Sequence, residues 1–242
     1  LLGEVWEDAT NKISYGSRRR FLRGRQLDSV MNYPFANAVT DYVKGGSAEK
    51  LLNTVLNILE NYPPQAVKLL MNHIGTHDTP RAITVLGAHD GYVGDRKWQS
   101  ERVLSAEEYN RGVGLLKLAA VLQFTLPGVP SIYYGDEAGL TGYGDPFCRA
   151  AYPWGRENTE LLSFYRALGA LRRSSPAFAS GEFVPIRAES GVFAFLRKKG
   201  GSTAFIAVNS GDSTAVTDLP PELKDIKTAF GEKPQGGKLT LS

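Results

Sequence analysis

Apolar positions along the chain follow two regimes. Up to residue 176, short apolar runs at Leu1 to Trp6, Ser29 to Phe35, Leu69 to Gly75 and Val129 to Gly135 alternate with stretches of helical period. Strand-like runs separated by helical ones predict a parallel sheet with crossover helices. The best-marked helix starts at Ser105, where Ser105 and Glu108 have capping-box spacing and Tyr109, Val113, Leu116 and Ala120 share a face. Pro127 and Gly128 stop it. A second helix begins near Ser47, with Leu51, Leu52, Val55, Leu56 and Leu59 apolar, and ends before Pro63-Pro64. A third covers about Thr159 to Arg173, turning Leu161, Phe164, Tyr165, Leu168 and Leu171 inward before Ser174-Ser175-Pro176.

Beyond Pro176 the period becomes two. Val192-Phe193-Ala194-Phe195-Leu196, a Lys198-Lys199-Gly200-Gly201-Ser202 turn and Thr203 to Val208 predict a hairpin, with further short strands around Val216, Phe230 and Leu239. The change places a boundary near residue 177, with an antiparallel β domain over 177–242. A complete eight-stranded barrel of alternating strands and helices takes about 250 residues, and the first part of this chain offers four strands, half of one. In such barrels chemistry sits on the loops after the strands' C-terminal ends. Glu4, His77 and Asp78 fall there.

Composition narrows the classes. The 242 residues are 42% hydrophobic and 22% charged with a net charge of +3, as for a globular protein with a sizeable core. The densest basic group, Arg18-Arg19-Arg20 with Arg23 and Arg25, reads as a solvated face rather than a nucleic-acid surface. The single cysteine, Cys148, excludes an internal disulfide framework and leaves the compartment open, the cytoplasm slightly favoured. No apolar stretch is long enough to span a membrane, and no signal peptide is visible. Three histidines and one cysteine do not supply the usual transition-metal ligand set.

Each candidate for chemistry has a plain structural alternative. Glu4, two residues before Trp6, fits a surface Glu at a strand end, and Trp6 a core residue. His77-Asp78-Thr79-Pro80 fits an Asx turn or a helix cap. Asp145 and Arg149 fit a salt-bridged loop, and Tyr152-Pro153-Trp154-Gly155 fits packing at the approach to the last helix. His73 and His89 have no comparable partner and read as structural or solvent-facing.

In chain order, Gly3-Glu4-Val5-Trp6, Asp28-Ser29-Val30-Met31-Asn32-Tyr33-Pro34-Phe35, Gly75-Thr76-His77-Asp78-Thr79-Pro80-Arg81 and Pro127-Gly128-Val129-Pro130-Ser131-Ile132-Tyr133-Tyr134-Gly135-Asp136-Glu137 resemble four strand motifs of one family. They are the fifth- to eighth-strand motifs of the α-amylase superfamily of retaining glycoside hydrolases, in its neopullulanase and cyclomaltodextrinase branch. The likeness covers nearly the whole chain. It implies an α/β fold: the C-terminal half of a TIM (β/α)8 barrel over 1–176, then an antiparallel β-sandwich domain over 177–242. It also implies that the complete protein cleaves α-1,4 glucosidic bonds, with α-1,6 bonds left open.

The resemblance assigns Glu4 as general acid and then base, and Asp78 as the carboxylate that binds sugar hydroxyls and stabilises an oxocarbenium-like transition state. His77 would donate to a substrate hydroxyl, Trp6 would be an acceptor-side platform, and Asp145 and Arg149 would line donor-side subsites. An acid needs a raised pKa, which an apolar wall such as Trp6 supplies by desolvation. Retention also needs a nucleophilic carboxylate. The family places it as an Asp in a Gly-x-Arg-x-Asp context, and Asp8, Asp28 and Asp136 stand in other contexts.

The expectation is therefore a chain inactive alone, whose partners are α-glucan oligosaccharides and the missing N-terminal half of the barrel, with neither nucleic acid nor membrane. No cofactor is certain, and calcium is open. The alternatives are a non-catalytic sugar-binding or partner protein, an α-glucanotransferase, and a half-barrel that assembles with a separate chain through open strand edges.

Overall fold

The structure, a computed structural model, describes residues 1–90, 95–223 and 227–241. Its frame is four short parallel strands: β1 (Leu2–Gly3), β4 (Ser29–Val30), β5 (Met71–Asn72) and β6 (Val129–Pro130), with a small hairpin of β2 (Ile13–Ser14) and β3 (Ser17–Arg18) between the first two. Leu2 pairs with Ser29 and Gly3 with Val30, Met31 bridges to Met71, and Met71 and Asn72 pair with Val129 and Pro130. Spatial order thus equals chain order, as in consecutive strands of a barrel. Asn72 braces the array from within, accepting from Asn32 Nδ2 at 2.9 Å and donating to Pro127 O at 2.8 Å.

Helices α1 (Tyr33–Val43), α2 (Ala48–Asn61) and α3 (Pro64–Val67) link β4 to β5, and α4 (Ala82–Gly87), α5 (Arg96–Glu101) and α6 (Ala106–Thr125) link β5 to β6. The run expected to stay extended to Phe35 turns helical at Tyr33. Asn32 caps the helix by accepting from Phe35 N, and Pro34 sits in its first turn, where it lacks nothing a helix needs. The capping box on α6 forms as the spacing predicts: Ser105 Oγ accepts from Glu108 N at 3.1 Å and Glu108 Oε2 accepts from Ser105 N at 2.8 Å. Arg102 donates to the other Glu108 oxygen at 2.6 Å, and with the two backbone donors holds this carboxyl down at about 2. Helices α4 and α6 touch at glycines. A Cβ on Gly87 would lie 2.1 Å from Glu108 O, and one on Gly112 would lie 2.5 Å from Ile83 O.

After β6 come α7 (Thr159–Ser174) and α8 (Pro176–Ser180), then β7 (Glu182–Glu189), β8 (Val192–Lys199) and β9 (Ser202–Asn209) in an antiparallel sheet with β8 central. A ribbon of β10 (Ala215–Asp218) and β11 (Lys238–Leu241) follows. The hairpin predicted at Val192 to Val208 is β8–β9. The strand expected around Phe230 is absent: the backbone there is irregular, and the Phe230 ring packs edge-on to Phe164 at 5.3 Å. Strand β7 was hidden because a register shift between Pro185 and Arg187 breaks its alternation. The fold class is the expected one, a half-barrel α/β part followed by antiparallel β structure.

The helices bury one face of the sheet. Phe193 and Phe195 lie fully inside with Leu51, Val55 and Tyr42 in one apolar cluster. The buried Tyr42 hydroxyl reaches the carbonyls of Val208 at 2.7 Å and Gly191 at 2.9 Å, and burial pushes its phenol up to about 12. Two arginines tie the end of α6 to both later elements. Arg172 donates to Phe124 O at 2.7 Å and Gly128 O at 2.5 Å, and the buried Arg197 donates to Thr125 O and, at 3.0 Å, to Gly181 O. Cations beside a helix C-terminus are where the helix dipole favours them. Among the described residues no helix is long and apolar enough to cross a membrane.

Tyr42→Phe keeps the ring and removes the bond to the sheet. It is expected to lower stability by about 1 kcal/mol, the usual net worth of such a bond, read as a lower urea midpoint at unchanged m-value. A carboxyl held low stabilises the fold fully above its ordinary value of 4.5 and ceases to do so as the pH falls to about 2. Glu108→Gln should therefore flatten the acid-unfolding profile across that window, which circular dichroism at stepped pH will show.

Candidate active site

The site is assembled on the C-terminal ends of the parallel strands. Glu4 follows β1 directly, Tyr33 opens α1 just after β4, and the His77-Asp78 turn follows β5. Glu4 is solvent-exposed and accepts a hydrogen bond from Tyr33 Oη at 2.8 Å. Trp6 packs on Tyr33, the residue that bonds this carboxylate. Its ring lies flat on Tyr33, centroids 4.1 Å apart and planes 18° apart, and it remains 50% exposed. The rings of Tyr33 and His73 meet nearly at right angles, with centroids 4.6 Å apart and planes at 74°.

His73 is buried and neither ring nitrogen has a hydrogen-bond partner among the described residues. Burial lowers its pKa to about 4, which leaves the ring uncharged above that pH. Its reading as a structural residue fits this placement, and His89 is exposed, its backbone N–H donating to Glu108.

His77 and Asp78 sit on a tight turn closed by threonines. Thr76 N donates to Thr79 Oγ1 at 3.1 Å and Asp78 N to Thr76 Oγ1 at 3.3 Å. His77 Nε2 lies 3.3 Å from Asp78 Oδ2, with both side chains partly exposed. The loop after β6 reaches over to them. Arg149 donates to Asp78 Oδ1 at 3.2 Å and pairs with Asp145 at 2.6 Å, and Cys148 Sγ donates to His77 O at 3.2 Å. Asp145 and Arg149 thus form a salt-bridged loop whose free end is joined to Asp78. In the Tyr152–Gly155 segment Tyr152 is partly buried while Trp154, 4.4 Å from it, is 80% exposed, and short turns follow before Asn158 caps α7.

Under this turn lies a buried ion pair absent from the sequence-based site. Arg81, fully inaccessible, stands 3.3 Å from Asp136 Oδ1, donates to Tyr134 O, and has its guanidinium 4.2 Å from the Tyr133 ring and 4.6 Å from that of Tyr134. Burial pushes the Asp136 carboxyl up against the downward pull of Arg81. Gly75 makes room for it, since a Cβ there would lie 2.5 Å from Asp136 Oδ2. Tyr33 and Arg81 stood inside recognised segments without a role. What marked them was local: Tyr33 directly follows the capping Asn32, and Arg81 directly precedes α4, so each is locked in orientation beside a reactive turn.

A cleft of about 910 Å³ between the α1–α2 connection and the β7–β8 turn is lined by Lys44, Glu49, Arg111, Glu189 and Asp212, and by none of the site residues. Among the described residues no three His, Cys, Asp or Glu side chains converge on a common point.

Comparison with known proteins agrees with this geometry. The family model of the alpha-amylase catalytic domain matches residues 1–161. A cyclomaltodextrinase of Thermoanaerobacter pseudethanolicus is 34% identical over 223 residues, covering 90% of this chain and 33% of its own length. An amylopullulanase of Thermoanaerobacter thermohydrosulfuricus is 34% identical over 240 residues, 90% of this chain and 15% of its own. Among solved structures, a debranching enzyme of Nostoc punctiforme superposes with a TM-score of 0.77 at 28% identity, over 99% of this chain and 49% of that one. The chain therefore spans a third or less of these curated relatives. With the matched region running through all four strand ends, the chain belongs to the alpha-amylase family.

Proposed function

We propose that this chain carries the acid and transition-state-stabilising side of a retaining α-glucan hydrolase of the neopullulanase or cyclomaltodextrinase kind, acting on α-1,4 and α-1,6 links. The observation that supports it is the arrangement of Glu4 and the His77-Asp78 turn at the C-terminal ends of strands of one parallel array, joined by Tyr33 from the strand between. Glu4 donates a proton to the departing glycosidic oxygen and later removes one from water, while Asp78 and His77 hold sugar hydroxyls as positive charge grows at the anomeric carbon. Trp6, half exposed, offers its ring to an acceptor sugar, and Arg149 pairs with Asp78 and orients it at the donor side. Residues 1–176 form the catalytic half-barrel in this reading and 177–242 an all-β companion domain. The nucleophile comes from barrel strands outside these 242 residues, which makes that other half-barrel the partner.

Release of reducing sugar from maltodextrin and cyclodextrin tests the reading, with this chain alone and combined with the complementary half-barrel. Activity is expected only in the combination. Glu4→Gln should cut it by roughly 10²- to 10⁴-fold, the range for general acid–base catalysis. Combined activity indifferent to Glu4 would refute the assignment. Glu4-dependent turnover by the chain alone would overturn the external nucleophile, and binding of maltodextrin without turnover in any mixture would replace the hydrolase by a sugar-binding protein.

A further inference from the structure

Tyr33 is held by two aromatic neighbours. Its ring stacks on Trp6 with centroids 4.1 Å apart, meets the ring of the buried His73 at 4.6 Å and nearly at right angles, and carries its hydroxyl to Glu4 Oε1 at 2.8 Å. The groups facing that hydroxyl are Glu4 after β1, Thr76 and Asp78 from the turn after β5, and the ring of His73, the residue directly after β5. His73 is uncharged through the neutral range and Asp78 is already paired with Arg149, and the Tyr33 hydroxyl donates to Glu4 at 2.8 Å.

We propose that Tyr33 is the positioning residue of the acid: its hydroxyl fixes Glu4 by Oε1, leaves Oε2 to carry the transferred proton, and stabilises the carboxylate as that proton departs. This rests on the reading of Glu4 as general acid. In the transfer, the O–H bond on Oε2 breaks as the leaving oxygen gains its O–H bond, and the electron pair stays on the Glu4 carboxyl. Negative charge spreads to Oε1, where the Tyr33 O–H already points. The bond is therefore stronger after the transfer than before it, the condition for an interaction to raise the rate rather than the affinity. Tyr33 itself does not give up its proton, because burial and the neighbouring Glu4 hold its phenol well above the ordinary range.

Two readouts test this. In the first, the chain is labelled at tyrosine Cζ and titrated by NMR, the Tyr33 signal being assigned by its disappearance in Tyr33→Phe. Tyr33 is expected to ionise at higher pH than the exposed tyrosines and to move downward in Glu4→Gln. A Tyr33 that titrates with the exposed phenols, or is indifferent to Glu4→Gln, overturns the proposal whatever the activity. The second compares maltodextrin with α-maltosyl fluoride, whose leaving group needs no acid, using the chain combined with the complementary half-barrel. Tyr33→Phe should lower kcat on maltodextrin by roughly ten- to a hundredfold, the range of a hydrogen bond to a charged group, with KM and the rate on the fluoride little changed. Equal losses on both substrates would mean that Tyr33 only supports the fold, and would sink the positioning role. Failure of the underlying reading looks different: the NMR link is intact, yet no hydrolysis depends on Glu4.

Discussion

The loops after β5 and β6 are hung on the Arg81–Asp136 pair. Two charges out of reach of water are costly, and their mutual attraction offsets that cost only when the surrounding geometry is good. Here the geometry is supplied by aromatic faces. Tyr133 and Tyr134 lie against the guanidinium, the Tyr134 carbonyl accepts from it, and Gly75 leaves the space in which Asp136 fits. Because Arg81 follows the His77-Asp78 turn and Asp136 follows β6, the pair fixes two loops of neighbouring strands to each other. Removal of either partner would leave an uncompensated charge in the interior, so the turn that presents Asp78 is bound to the integrity of the pair.

From this anchor the site is graded outward from dry to wet. Arg81 and Asp136 are buried, His73 and Tyr33 form an inaccessible middle layer, and Glu4, Trp6, Asp78 and Arg149 meet solvent. Orientation is settled in the inner layers, where packing tolerates little movement, and only the final carboxylates are free to meet a sugar. The turn after β5 is also held from the β6 side by Cys148 and Arg149, so two independent attachments converge on His77 and Asp78.

Much of this was legible in the sequence, and the exceptions have physical causes. The capping box at Ser105, the hairpin at Val192 and the four strand ends were readable because each depends on local chemistry or on a clean period. The start of α1 was misplaced because an apolar run, Val30 to Phe35, conceals a cap at Asn32 and a proline suited to a first helical turn. Strand β7 was missed because its register shift breaks the alternation on which strand recognition depends. The site was half readable. Glu4, His77 and Asp78 stood out as polar residues at strand ends, whereas Tyr33, His73 and Arg81 act through neighbours distant in sequence.

The two arginines at the end of α6 differ from Arg149 at the site in what they hold. Arg172 and Arg197 bond to carbonyl oxygens, dipoles that no dissolved ion replaces, whereas Arg149 lies nearly half exposed between two carboxylates. Mobile ions screen the second kind of contact far more than the first. Ionic strength is thus a handle on the molecule that loosens the grip on Asp78 while the join between helices and sheet stays closed, separating the behaviour of the site from that of its frame.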